Sequence, residues 1–218
     1  MRVIIHSCDK RLWYVREFLA PALRAQGITP SIHNDDHHKG CLWAYIDSFR
    51  GMPSGHGGAW HIEDDVFPCR DFAKVAEAHD RGIVHGFLHR YGDEPYVIGR
   101  VPISDAGYSF PCFRLPNRYA REFAEWFLTD AQHRDSYKRW IEENKHVDSF
   151  MLNFLREVHP NETVWNLSPS IVEHVDEYIG GSVVNHWRDG WCKADNFTDT
   201  ESIEELRVKL AERKAPPF

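Results

Sequence analysis

Three consecutive acidic residues, Glu63, Asp64 and Asp65, follow directly on an apolar segment of the chain. The flanking segments are Trp60-His61-Ile62 and Val66-Phe67-Pro68. Because adjacent carboxylates repel each other, a fold seldom places three of them at the end of a buried strand for stability alone. A divalent cation removes that repulsion, and Mg²⁺ and Mn²⁺ prefer oxygen ligands. The segment therefore predicts a metal site at a strand end, a location that often handles phosphate.

The three acids are expected to have different roles because successive side chains of an extended chain point in opposite directions. On an extended chain, Glu63 and Asp65 point to one side and Asp64 to the other. Two carboxylates are then available to a ligand while Asp64 anchors the turn beside it. The alternative is a solvated acidic turn, or an acid that caps the next helix. The apolar flanks favour the metal site because they make the acids emerge from a buried strand.

Apolar patterns predict strands and helices that alternate along the first half of the chain. Such alternation indicates parallel β-α-β units, in which ligands bind beyond the carboxyl ends of the strands. The expected strands are 3–6, 28–33 and 59–62, and the expected helices are 12–26, 40–49 and 72–79. In the second half we expect strands at 83–89, 96–98, 108–113 and 163–167, and helices at 116–128 and from about Asp148.

Length and composition narrow the class of protein. The 218 residues fit one large domain, and 42% hydrophobic residues support a sizeable core. The net charge of −7 argues against extensive coating of nucleic acid, although it leaves room for a local basic groove. The five scattered cysteines never show C-x-x-C spacing, so free thiols in a reducing cytoplasm are expected. With neither a signal peptide nor a membrane span apparent, the protein is expected to be soluble and cytoplasmic, with its oligomeric state open.

The run His61-Ile62-Glu63-Asp64-Asp65-Val66-Phe67-Pro68, followed by Phe72, resembles the D-x-D region of nucleotide-sugar-dependent glycosyltransferases of the GT-A fold. The resemblance implies an α/β fold, a Rossmann-like mixed sheet flanked by helices. It implies that Asp65 is the direct ligand of Mn²⁺ or Mg²⁺ and that Glu63 contacts the metal through water or contacts the ribose. Glu63 stands where the family more commonly has Asp.

A second stretch, Ser168-Pro169-Ser170-Ile171-Val172-Glu173-His174-Val175 and then Gly181-Ser182, is similar to the P-x-L-V-x-H … S segment near the end of many such enzymes. The resemblance implies that His174 completes the metal or diphosphate site, and a neutral imidazole is a good ligand for Mn²⁺. The plainer alternative is a histidine hydrogen-bonded on a loop.

The resemblance also assigns roles at the first two strand ends. The run Ile4-Ile5-His6-Ser7-Cys8-Asp9 stands where family members hold the nucleotide base, with Asp35 or Asp36 close by. Lys10 or Arg11 is within reach of a phosphate. The residues expected to contact the donor are Ser7, Asp9, Lys10, Asp35, Asp36, Glu63 and Asp64.

The resemblance implies the following organisation and activity. Residues 1–197 form a single GT-A-like catalytic domain, with a nucleotide-binding half at about 1–100 and an acceptor half at about 101–197. Residues 198–218 form an amphipathic helix and tail. The activity is hexosyltransferase-like: a sugar moves from a nucleotide-diphosphate sugar, such as a UDP-sugar, to a glycan, lipopolysaccharide or modified DNA base.

The stereochemistry decides whether a base is needed. An inverting reaction requires a carboxylate that takes the acceptor's proton. Asp148 is the candidate and Asp105 the reserve; in a retaining reaction Asp148 is a helix N-cap. Arginines mixed with aromatic residues in the second half are candidates for contact with the acceptor, and the alternative is that they lie on solvated helix faces. These cations are Arg114, Arg118, Arg121, Lys138 and Arg139.

Two other classes of function remain open from the sequence. The first is a metal-dependent phosphoesterase or nuclease built from Glu63, Asp65, His61 and the pair His37-His38. It lacks the second acidic motif that two-metal sites usually have. The second is a module on the same fold that binds a sugar nucleotide without catalysis.

Overall fold

A seven-stranded sheet runs through the centre of the protein, with a second sheet of two strands beside it. The computed structural model describes residues 1–88, 97–106, 111–143, 147–180, 194 and 196–213. The strands are β1 (Val3–Ser7), β2 (Ser31–Asn34), β3 (Gly58–Glu63), β4 (Val66–Pro68), β5 (Ile83–His85), β6 (Gly99–Pro102), β7 (Cys112–Pro116), β8 (Thr163–Asn166) and β9 (Val172–His174).

The order of the large sheet is β2-β1-β3-β7-β5-β8-β6. Strand β1 lies between β2 and β3 and pairs with both in parallel, and β5 pairs in parallel with β8. Strand β7 runs antiparallel to both β3 and β5, and β6 runs antiparallel to β8. The predicted class, an α/β protein with a mixed sheet flanked by helices, is therefore confirmed.

Helices alternate with the strands along the first half of the chain and cover both faces of the sheet. The helices are α1 (Leu12–Tyr14), continued by a π-helical stretch at Val15–Leu19 into α2 (Ala20–Ala25), then α3 (Cys41–Arg50), α4 (Phe72–Ala78), α5 (Asn117–Thr129), α6 (Lys138–Glu143), α7 (Val147–Val158) and α8 (Thr200–Glu212). In the described part of the chain, no helix combines the length and apolar character needed to cross a membrane.

The alternation of side chains along β1 explains why the protein has a core on each face of the sheet. Ile4 contributes to one core together with Phe49 of α3 and Phe123 of α5. Its neighbour Ile5 contributes to the other core, with Phe72 of α4. All five residues of β1 are buried, as expected for a strand covered by helices on both faces. This burial fixes the position of the strand end that follows.

Helix α8 joins the second core through Ile203 and Leu206, which are buried. Arg70 holds its N-terminus: the backbone N–H of Arg70 donates to the carboxylate of Asp199 at 2.7 Å. The guanidinium of Arg70 also donates to Glu201 at 2.5 Å. The predicted amphipathic C-terminal helix is thus present and packed on the sheet layer, while the domain boundary at 197 stays a prediction.

Some predicted elements are displaced in the structure. A strand was expected at 96–98, but β6 begins at Gly99, and the strand expected at 108–113 begins at Cys112. Parts of these predictions, residues 89–96 and 107–110, lie outside the described residues, as do Gly181 and Ser182. The short elements β4, β9 and α6 were not predicted, because three to six residues carry too little periodicity to be detected.

Gly58, the first residue of β3, lies against strand β7 with no room for a side chain. A Cβ atom there would come within 2.7 Å of Nη2 of Arg114 and 2.9 Å of the carbonyl oxygen of Leu115. Arg114 is fixed because it donates to Asp80 and to the carbonyl of Gly82. The close approach of β3 and β7 therefore depends on glycine at this position.

We expect Gly58→Ala to lower the free energy of unfolding by about 1 to 3 kcal/mol, the usual cost of overpacking. Chemical denaturation measures this value. Gly55→Ala is the matched control, because a Cβ atom at Gly55 meets nothing within 4 Å, and it should stay close to wild type. Equal stability of the two variants would show that Arg114 and the β7 backbone adapt to the methyl group.

His85 gives the stability of the fold a pH dependence. It lies on β5 with 3% of its surface exposed. Burial lowers the pKa of His85 from its usual value near 6.5 to about 4. The unfolded chain therefore takes up a proton below pH 6.5 that the folded chain does not accept until about pH 4. The contribution of neutral His85 to the free energy of unfolding is complete above pH 6.5. It falls as the pH drops towards 4, by roughly 3 kcal/mol in total.

We expect His85→Asn to make the loss of stability between pH 6.5 and pH 4 less steep. The free energy of unfolding, measured by denaturation at several pH values, tests this slope independently of the absolute stability. His56→Asn, at an exposed histidine in the loop before β3, should retain the wild-type slope. A variant at position 85 with the wild-type slope would contradict the assignment.

Candidate functional site

The acidic residues lie where a strand of the large sheet passes into the small sheet. Glu63 is the last residue of β3, and Asp64 and Asp65 form the turn into β4. Strand β4 pairs antiparallel with β9, which places Val66 opposite His174. This pairing of two sequence-distant segments brings His174 beside the acidic turn.

Asp65, His174 and Asp176 form a chain of charged contacts. Nε2 of His174 lies 3.5 Å from Oδ1 of Asp65, and Nδ1 lies 3.2 Å from Oδ1 of Asp176. The backbone N–H of Val175 donates to the carbonyl oxygen of Asp65 at 2.7 Å, which fixes the main chain of the turn against β9. The imidazole is thus oriented by Asp176 and directed at Asp65.

Arg11 approaches the same acids from the other side. It follows β1 in a turn in which its backbone N–H donates to the carbonyl of Cys8 at 3.0 Å. Its Nη1 donates to Oδ2 of Asp65 at 2.5 Å and to Oδ1 of Asp64 at 3.4 Å. Only 3% of Arg11 is exposed. A buried guanidinium therefore bridges the two aspartates.

Asp64 holds the acidic turn to the loop after β1. Its Oδ2 accepts a hydrogen bond from the backbone N–H of Cys8 at 2.9 Å, and its Oδ1 accepts the long bond from Arg11. The side chain is therefore largely committed to main chain and guanidinium. Asp64 therefore anchors the turn, although it shares its partner Arg11 with Asp65.

Glu63 faces α3. Its Oε1 lies 3.5 Å from the hydroxyl of Tyr45, which is the donor of a long hydrogen bond. Burial raises the pKa of the Glu63 carboxyl, and the charge of Asp65 raises it further. The charges of Asp64 and Asp148 act in the same direction. Glu63 is consequently the acid of this cluster that most readily holds a proton.

Asp65 and His174 are held in their charged forms by each other. Burial raises the pKa of Asp65, but the charges of His174 and Arg11 outweigh it, so the pKa lies below its ordinary value. Burial lowers the pKa of His174, and Asp65 and Asp176 outweigh that effect and raise it to about 9. The ligand-free site therefore contains an imidazolium and an ionised aspartate at neutral pH.

A cavity of about 500 Å³ opens above these acids. Its wall combines the end of β1, the loop after β2, the start of α3 and the acidic turn. Of the residues predicted to contact a donor, all but Asp36 line it. Those that do are Ser7, Asp9, Lys10, Asp35, Glu63 and Asp64, and Arg11 and Asp65 line it as well.

Asp35 and Asp36 differ in their surroundings. The Asp35 carboxylate accepts hydrogen bonds from the backbone N–H groups of Lys39 at 2.9 Å and Gly40 at 2.7 Å. It therefore shapes the loop that borders the cavity. The side chain of Asp36 is 71% exposed and lies 3.7 Å from the ring of His37. The expectation of a donor contact at Asp36 is not supported by this placement.

The two candidate bases, Asp148 and Asp105, lie in different surroundings. Asp148 is the second residue of α7, where its Oδ1 accepts from the backbone N–H of Ser149 at 2.7 Å. Its charge raises the pKa values of Cys41 and Glu63, two residues that line the cavity, although Asp148 itself is not among the lining residues. Asp105 is exposed in a 3₁₀ turn and accepts from Ser104. Among the described residues that line the cavity, Asp105 is not found.

The cations considered for the acceptor are not gathered into one surface. Arg114 is 4% exposed and pairs with Asp80 at 3.0 Å. Arg118 stacks on Tyr119, with 4.4 Å from its guanidinium carbon to the ring centroid. Arg139 pairs with Glu143 one helical turn away. Each of these three arginines thus has a partner close to it in the fold. The hypothesis of an arginine-rich acceptor groove is therefore not supported.

The histidines of the nuclease alternative lie apart from the acids. His61 is fully buried and stacks on Phe113 with ring centroids 5.0 Å apart. Its Nδ1 lies 2.9 Å from Nε2 of His6, and burial lowers the pKa of His61 to about 3. The side chains of His37 and His38 are each 76% exposed on the loop after β2. His61 is a core residue because it faces the α3 side of the sheet.

The donor atoms around Asp65 suit a hard or borderline cation. Carboxylate oxygens and one imidazole nitrogen are ligands for Mg²⁺ and Mn²⁺. Oδ1 of Asp65 is buried and makes no hydrogen bond, and its ion-pair contact with His174 is long at 3.5 Å. Within the described ranges, no group of three His, Cys, Asp or Glu side chains is spaced to hold a metal ion. The types of ligand fit, and Arg11 occupies the other oxygen of Asp65.

Sequence reasoning missed two residues that shape this site. Asp176 orients His174, and Tyr45 contacts Glu63 from α3. A carboxylate two residues after a candidate histidine ligand is a signal for Asp176, since such ligands commonly bond a second carboxylate. No comparable local signal exists for Tyr45, because its position depends on how α3 packs on the sheet.

No protein-family model matches the chain, and no curated protein matches it in sequence. Several solved structures are similar to it in three dimensions. A protein from STIV is 17% identical, with a TM-score of 0.41, over 79% of this chain and 84% of that one. The inositol-1-phosphate CTP transferase from T. maritima is 10% identical, with a TM-score of 0.44, over 98% and 78%. The catalytic domain of Drosophila β1,4-galactosyltransferase 7 in complex with xylobiose is 10% identical, with a TM-score of 0.45, over 99% and 83%.

The similar structures thus include a CTP transferase and a galactosyltransferase. At TM-scores below 0.5, the fold class rests on the strand order and pairing of the sheet itself.

We expect Asp176→Asn to lower the pKa of His174 from about 9 by roughly one unit. The substitution removes the negative charge that stabilises the imidazolium while it retains the shape of the side chain. Titration of the His174 ring by NMR in the metal-free protein measures the change. Asp71→Asn, at an exposed aspartate before α4, should leave this pKa unchanged. An unaltered titration in Asp176→Asn would show that Asp65 alone sets the pKa.

Proposed function

We propose that this protein is a metal-dependent glycosyltransferase that takes its sugar from a nucleoside-diphosphate donor. The observation that supports this most strongly is the convergence of Asp65 and His174, which are distant in sequence and lie 3.5 Å apart, with Asp65 lining the cavity. A solvated acidic turn would not bring a buried imidazole from a distant segment to its carboxylate.

In this proposal the cavity binds the donor, with the nucleoside near the ends of β1 and β2 and the diphosphate near Lys10 and Arg11. Asp65, Glu63 and His174 would hold Mn²⁺ or Mg²⁺ once Glu63 and His174 have given up the protons they carry in the ligand-free site. The cation, when bound, supplies positive charge to the diphosphate as the bond to the sugar breaks. Asp64 keeps the turn in place through its bond from Cys8.

Asp148 is the proposed base if the reaction inverts the sugar, because its charge acts on Glu63, which lines the cavity. It would accept the proton of the acceptor hydroxyl as the new bond forms. Asp105 remains the reserve; it is exposed, and its carboxylate accepts a hydrogen bond from Ser104. We propose a glycan acceptor, one of the three acceptor classes that the sequence resemblance implies.

We expect UDP, GDP or TDP to raise the melting temperature in the presence of Mn²⁺ by about 5 to 10 °C at a concentration near a hundred times Kd. Asp65→Asn should abolish the shift, because it removes the ionised ligand. Asp71→Asn is the control and should retain the shift. Thermal denaturation over the three nucleotides measures it, and no shift with any of them would contradict the proposal.

A second measurement separates a transferase from a sugar-nucleotide-binding module. A transferase with a bound donor releases the nucleoside diphosphate slowly by hydrolysis, with water in place of the acceptor. Coupled detection of UDP or GDP release follows this reaction. Binding without any release of diphosphate over long incubation would favour the module.

A further inference from the structure

Arg11 lies where a divalent cation would compete with it for the carboxylate of Asp65. Its guanidinium is buried and donates to Oδ2 of Asp65 at 2.5 Å, on the residue proposed as the direct metal ligand. The same nitrogen lies 3.4 Å from Oδ1 of Asp64. The positive charge that three successive acids require is therefore already supplied, in part, by the chain itself.

A guanidinium and a divalent cation that both bind Asp65 closely repel each other, which weakens the binding of each. Like charges within a few ångströms repel strongly at a partly buried site, where screening by water is weak. A cation on Oδ1 of Asp65 would lie on the same carboxylate that accepts the 2.5 Å hydrogen bond from Arg11. Binding of the cation alone therefore places a second positive charge beside the Arg11 guanidinium.

An anion in the cavity changes this balance. Arg11 lines the cavity as well as contacting the acids, and the exposed Lys10 lines it beside Arg11. A guanidinium binds phosphate oxygens with good geometry. A diphosphate in the cavity therefore offers Arg11 a second partner within the same pocket and releases Oδ2 of Asp65.

We propose that Arg11 takes the place of the divalent cation at Asp65 in the ligand-free protein and transfers to the donor diphosphate when the cation binds. This inference rests on the proposed function for the identity of the anion. It makes cation and diphosphate mutually dependent ligands, since each removes the charge imbalance that the other creates. Arg11 is thus a positioning residue that prevents the site from filling with metal alone.

The test compares wild type with Arg11→Met for binding of Mn²⁺ alone, measured by calorimetry without nucleotide. We expect the variant to bind Mn²⁺ at least tenfold more tightly, because its competitor at Asp65 is gone. We expect its affinity for UDP at saturating Mn²⁺ to be at least tenfold weaker. Arg213→Met is the matched control: Arg213 pairs with Glu17 at 2.6 Å, away from this cavity, and both affinities should equal those of wild type.

Unchanged or weaker binding of Mn²⁺ by Arg11→Met would overturn the inference and make Arg11 a fixed structural partner of the acids. The titration with Mn²⁺ alone contains no nucleotide, so it decides the role of Arg11 even if no nucleoside diphosphate binds. Absence of nucleotide binding in wild type with Mn²⁺ would instead contradict the proposed function.

A measurement on the wild-type protein covers the case in which Arg11→Met does not fold. The Arg11 Nε–H resonance, assigned with Arg11→Lys, is followed by NMR with the diamagnetic Mg²⁺. We expect it to move when UDP and Mg²⁺ are added together and to stay in place with Mg²⁺ alone. A resonance that stays in place with both ligands would overturn the inference.

Discussion

Neutralisation of buried negative charge at the end of β3 is the constraint that organises this part of the molecule. Moving a carboxylate out of water costs several kcal/mol even after relaxation, unless a partner of opposite charge accompanies it. Arg11 and His174 provide that charge from opposite sides, and Asp65 contacts both. The loop after β1, the acidic turn and β9 therefore have to assemble together for any of them to be stable.

The sheet topology makes this assembly a consequence of the strand order. Strands β2 and β3 both lie parallel to β1, so all three carboxyl ends meet at one edge. Arg11 and Asp35 follow the first two strands and Glu63 ends the third. The antiparallel pairing of β4 with β9 then adds His174 to the same edge. A cavity with acids on one wall and cations on another follows from the placement of strand ends.

The sequence predicted the parts of this site that depend on local pattern. The strand before Glu63 and the helix from Cys41 follow from periodicity within a few residues. The expectation that Asp64 and Asp65 point to opposite sides is not supported, because one nitrogen of Arg11 contacts both. Asp36 and His61 were misjudged for a different reason. Whether a polar residue next to an apolar run faces a cavity, the solvent or the core depends on packing. His61 is enclosed by Phe49 and Phe113, which come from α3 and β7.

The charged groups around Asp65 determine both the stability of the ligand-free site and the charge of the ligand that it can bind. With Glu63 protonated, the carboxylates of Asp64, Asp65 and Asp176 face the cations of Arg11 and His174, which leaves one excess negative charge. A divalent cation that binds while Glu63 and His174 keep their protons reverses the sign of that excess, and a diphosphate added alone increases it. The two together come close to restoring the original balance, because the charges they bring are of similar size and opposite sign. A site balanced internally in this way is therefore best suited to a ligand that is itself a cation–diphosphate pair.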